Sequence, residues 1–61
     1  MEKYIITAFE KSGATVLDES FEAQDDKEAK KVGEELLKQK GFGNHTARVV
    51  SSAGKLIVLK R

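Results

Sequence analysis

The 61-residue sequence has no cysteine, no proline and no tryptophan. Without cysteine there is no disulfide, no thiolate metal ligand and no cysteine nucleophile. There is a single histidine, His45. One imidazole is too little for a histidine metal site, which takes several ligands. A triad also needs an acid to orient its base, and the acid nearest to His45 in sequence is Glu35, ten residues away. His45 therefore reads as a loop residue. Acids are missing from the C-terminal part: none follows Glu35. Long hydrophobic runs are also missing. The apolar stretch Tyr4 to Phe9, interrupted by Thr7, is too short for a signal-peptide core or a membrane span. The expectation is a cytoplasmic protein with no membrane partner. For the same reason the Asn44-His45-Thr46 sequon is expected to stay unmodified.

What is present is ordinary globular composition, with 39% hydrophobic and 34% charged residues and a net charge of +1, which argues against disorder. The length allows one domain over residues 1–61 and little interior for an enclosed pocket. The small net charge hides a split. Residues 1–37 hold ten acids and five lysines, net −5, whereas residues 38–61 carry six bases and no acid. A polyanion-binding end is one explanation. Acids at a helix start and bases toward its end, matching the helix dipole, are the plainer one.

The pattern along the chain is strand, turn, strand, helix, loop, strand, turn, strand. Asp25 and Glu28 form a capping-box pair, in which the first side chain accepts free N–H groups of the opening turn. Ala29, Val32, Gly33, Leu36 and Leu37 follow at helical spacing and predict one apolar stripe. Gly41 stands where a left-handed residue ends a helix, and Phe42 is placed to fold back on the last turn. Gly33 in mid-helix costs about 1 kcal/mol relative to alanine, which points to a close approach of helix and sheet.

Strands are expected at 3–10, 14–23, 46–51 and 55–60. Lys11-Ser12-Gly13 and Ser52-Ala53-Gly54 are the same device used twice, a three-residue hairpin loop whose glycine takes the left-handed position. Such a loop pairs residues whose numbers sum to an even value, so odd residues share one face within each hairpin. The odd face (Ile5, Phe9, Leu17, Phe21, Ala47, Val49, Ile57, Leu59) is almost purely apolar and is the expected helix side. The even face carries Tyr4, Ile6, Ala8, Val16, Arg48, Val50, Leu56, Val58 and Lys60, with Asp18 and Glu22. It is expected to stay open and to be the partner-binding surface. The fold expectation is α+β, a two-layer ββαββ arrangement with one helix on one face of a four-stranded sheet. Strands one and four, apolar on both faces, are expected at the centre, giving the order 2-1-4-3. The all-antiparallel order 2-1-3-4 is the alternative.

No catalytic motif survives its context. Gly41-Phe42-Gly43 has Thr46 where a dinucleotide loop needs its third glycine, and it follows a helix instead of opening one. Gly54-Lys55 has Val49 and Leu56 where a phosphate loop needs glycine and a hydroxyl. The expectation is a non-enzymatic protein with no catalytic residue, cofactor or metal. A core of this size rarely supplies more than about 3–5 kcal/mol, so covering the open face helps. At roughly 25 cal/mol per Å², ~400 Å² on each partner corresponds to ~10 kcal/mol gross for each. The expected role is an interaction module that forms a homodimer or docks a small protein partner. The alternative is single-stranded nucleic-acid binding through the basic C-terminal hairpin, with Tyr4 as a stacking platform.

The segments Tyr4-Ile5-Ile6-Thr7-Ala8-Phe9-Glu10, Asp18-Glu19-Ser20-Phe21-Glu22-Ala23 and Asp26-Lys27-Glu28-Ala29-Lys30-Lys31-Val32-Gly33 resemble the YhzD-like family, short proteins of Bacillus-type bacteria. The resemblance spans about the first two-thirds of the chain and lies in structural motifs. It implies a bacterial cytosolic protein and brings no activity, cofactor or site residue with it.

Overall fold

A computed structural model describes residues 1–60 and shows a ββαββ chain. Strands β1 (Glu2–Phe9), β2 (Thr15–Ala23), β3 (Thr46–Ser51) and β4 (Leu56–Lys60) form one sheet, and helix α1 (Asp26–Gln39) lies on one face. The order is β2-β1-β3-β4 with every pairing antiparallel. This corrects the expected order 2-1-4-3. β1 is central, as its two apolar faces predict, but β4 is an edge strand, because each hairpin pairs locally and the two meet through β1 and β3.

The helix ends are built as the sequence indicates. Asp25 accepts a hydrogen bond from the Glu28 amide at 2.8 Å. The Glu28 carboxylate reaches back to the Gln24 amide at 3.1 Å, one residue beyond the reciprocal partner of a regular capping box. At the other end Gly41 has φ +78°, its amide donates to the Lys38 carbonyl, and the Phe42 amide donates to that of Leu37 at 2.8 Å. This is a Schellman closure, and it returns Phe42 to the core. An added Cβ on Gly33 would lie 2.8 Å from Val49 Cγ2 and 3.6 Å from Ile6 Cδ1. Glycine is what lets α1 sit this close to β1 and β3.

Both hairpin loops close as predicted. The Gly13 amide donates to Glu10 and the Gly54 amide to Ser51, with φ of +91° and +85° at the two glycines. Even-sum pairing holds next to each turn, at Phe9↔Thr15 and Val50↔Leu56. Then a bulge intervenes in each hairpin: Ala8 pairs with Leu17 and Val49 with Val58, leaving Val16 and Ile57 as extra residues. One extra residue reverses the facing of all that lies beyond it.

The result exchanges half of each expected face. Leu17, Phe21, Ala47 and Val49 point toward the helix as expected, but on β1 the helix side is even. Tyr4, Ile6 and Ala8 are completely buried there, while Ile5 is exposed and Phe9 lies opposite Thr46 on the outer side. On β4 the helix side takes Val58, opposite Val49, and Lys60, opposite Ala47, while Leu59 lies outside. The core is Tyr4, Ile6, Ala8, Leu17, Ala23, Ala29, Leu37, Ala47 and Val49, with Val16, Phe42 and Ile57 packed against it.

Candidate functional site

The strand pairing arranges the outer face in rows. One row runs Asp18–Thr7–Arg48–Leu59 and the next Ser20–Ile5–Val50–Leu56, from β2 to β4, with Glu22 opposite Lys3 beyond them. Ile5, Leu56 and Leu59 are 45%, 51% and 50% exposed. They surround half-buried Val50. Strand alternation places these side chains on the same side as Phe9, whose ring lies 5.7 Å from the Arg48 guanidinium carbon. That stacking holds the arginine along the face. The charge is graded across the sheet: carboxylates of Asp18 and Glu22 on β2, Lys3 opposite Glu22 on β1, Arg48 on β3 and leucines on β4.

Of the nine residues expected on a partner-binding face, Arg48, Val50 and Leu56 are on the outer surface. Tyr4, Ile6 and Ala8 are core residues, Val16 and Val58 pack against the core, and Lys60 shares the helix side with Ala47. Ile5, Phe9 and Leu59 belong to the outer face instead. Their placement depends on the bulge in each hairpin, for which Val16 and Ile57 give no compositional signal.

A second polar group lies on the helix side. The buried Tyr4 ring stacks on Phe21 at 5.7 Å, and its hydroxyl donates to Asp26 Oδ1 at 3.0 Å, with Glu2 Oε2 at 3.2 Å. Asp26 Oδ2 takes Lys55 Nζ at 2.9 Å. Burial, reinforced by the bond to Asp26, pushes the Tyr4 phenol up from its ordinary value. The Lys55 ammonium, with the Tyr4 hydroxyl second, holds Asp26 below the ordinary carboxylate range. Bonding to Asp26 raises Lys55 in turn. Such a phenol keeps its proton, so the cluster is a clamp joining β1, the start of α1 and the β3–β4 turn. Lys40 and Glu19, 3.0 Å apart, make the corresponding tie at the other end of α1.

A cleft of about 560 Å³ opens between the β1–β2 turn and the α1–β3 loop, lined by Phe9, Glu10 and Lys11 on one side and Asn44 and His45 on the other. His45 packs edge-on against Phe42 at 5.1 Å, and its Nδ1 is buried without a hydrogen-bond partner. Among the described residues no three His, Cys, Asp or Glu side chains come together as a metal site. Nor is any helix among them long and apolar enough to cross a membrane.

The family described as "YhzD-like protein" matches residues 1–61. A Bacillus subtilis (strain 168) protein named "Uncharacterized protein YhzD" is 48% identical over 61 residues, covering 100% of both chains. No solved structure matches.

Proposed function

The chain belongs to the YhzD-like family, and from that premise we propose that it is a small non-enzymatic interaction module of the bacterial cytoplasm, working through the outer face of its sheet. One observation carries the reading: Ile5, Leu56 and Leu59, each about half exposed, lie together with Val50 across three neighbouring strands. Single exposed apolar residues are commonplace, whereas a contiguous group rimmed by charge marks an association surface. β4 adds to this. Its Leu-Ile-Val-Leu run has the composition of a central strand, yet it lies at the sheet edge.

Nucleic-acid binding has less support. Tyr4, the aromatic it relied on, is buried, Lys60 faces the helix side, and Asp18 and Glu22 share the outer face with Arg48. The test is capture from lysate by the tagged chain, comparing the native sequence with Ile5→Glu/Leu59→Glu, with and without nuclease. Proteins, including untagged copies of the chain, should be retained by the native sequence and lost by the variant regardless of nuclease. Equal retention by both overturns the outer-face reading. Nuclease-sensitive retention favours nucleic acid instead.

A further inference from the structure

We propose that the occupant of the outer face is a second copy of this chain, related by a two-fold axis that lies between the two sheets and runs along the strands. The inference rests on reading that face as an interaction surface, and it follows from the grading of charge across the rows. Isologous packing of two such sheets has two limiting arrangements. With the axis across the strands, β2 lies on β2, and the carboxylates of Asp18 and Glu22 meet those of the other copy. With the axis along the strands, the order is reversed, so the acidic β2 side of each copy crosses the β3–β4 side of the other.

Like charges set against each other at an interface oppose association. The first arrangement makes that juxtaposition twice, once on each side of its axis, and the second avoids it. In the second, Ile5 and Val50, paired on neighbouring strands, stack on the same two residues of the other copy. Leu56 and Leu59 are then covered by β2, and Asp18 comes over the side that carries Arg48. Aligned sheets about 10 Å apart and turned by roughly 30° keep these groups within side-chain reach. Arg48 is already laid along the face by Phe9, so little side-chain freedom is lost on pairing.

Sedimentation equilibrium of the purified full chain tests this. The native mass should rise with concentration from 6.7 kDa toward twice that value. Asp18→Arg and Arg48→Asp should each weaken the dimer by about tenfold or more at low salt. The double exchange Asp18→Arg/Arg48→Asp should return it to within about threefold of the native constant. Both positions are exposed, so far-UV circular dichroism should be unchanged in all three variants.

A native chain that stays at 6.7 kDa at every concentration overturns the second copy. If lysate proteins are still captured through Ile5 and Leu59, the outer-face reading survives that result. A dimer strengthened by Asp18→Arg overturns the axis along the strands, because only β2 on β2 gains from removing that carboxylate. A double exchange no better than the single changes overturns it too.

Discussion

The two sides of β1 both carry large apolar side chains, and those side chains meet opposite fates. Tyr4, Ile6 and Ala8 are wholly enclosed beneath α1, while Ile5 is 45% exposed and Phe9 half-buried on the outer surface. Hydrophobicity does not separate the two sets; what separates them is the register of both hairpins against a helix that covers only one face. The outer side of this strand is built like an interior surface, and α1 leaves it uncovered.

The largest difference is expected when the same substitution is placed on adjacent residues of β1. Ile6→Glu puts a carboxylate among Tyr4, Val49 and Gly33. Burying an unpaired charge costs several kcal/mol, about as much as a core of this size supplies. The variant should be unfolded by circular dichroism at 25 °C. Ile5→Glu, one residue away, should keep the native spectrum.

Gly33→Ala is the next largest effect. Alanine gains about 1 kcal/mol of helix propensity, but its Cβ would lie 2.8 Å from Val49 Cγ2, and overpacking costs about 1–3 kcal/mol. A net loss of up to about 2 kcal/mol in urea unfolding is expected. Adding Val49→Ala should recover part of it, because it removes the offending methyl. A Gly33→Ala chain more stable than the native one would mean the helix stands further from the sheet.

Smaller again is the acid arm of the clamp. Asp26 has a lowered folded pKa, so its contribution is present above the ordinary carboxylate value of about 4 and is lost as pH falls through the folded one. Urea midpoints should decline below about pH 4, and Asp26→Asn should flatten that decline. An unchanged slope in the variant would mean the clamp contributes nothing to acid stability. The least effect on stability belongs to Ile5→Glu and Leu59→Glu, each within about 1 kcal/mol of native, although together they should abolish association.

Much of the architecture was legible because it is written in local chemistry. Asp25 with Glu28, Gly41 with Phe42, and the paired glycine turns each use residues that few other conformations favour. Gly33 likewise announced the close helix contact. The facing of β1 and β4 was not legible, since Val16 and Ile57 are unremarkable strand residues and nothing in them announces that they will be skipped by the ladder. The position of β4 escaped for a related reason. Apolarity on both faces marks a central strand only where both faces are covered, whereas here Leu56 and Leu59 stay half exposed at an edge. The exposed leucines of this edge strand are also part of the proposed association surface.

The strand order has a kinetic consequence. β1–β2 and β3–β4 are each closed by a three-residue turn, so each can form within microseconds on its own. Only the β1–β3 ladder, from Tyr4↔Ser51 to Phe9↔Thr46, joins distant parts of the chain among the strand pairings. α1 lies between its two halves in sequence and shortens the span to be searched. The barrier to folding should therefore be the meeting of two preformed hairpins, and substitutions along β1 and β3 should slow folding more than those along β2 and β4.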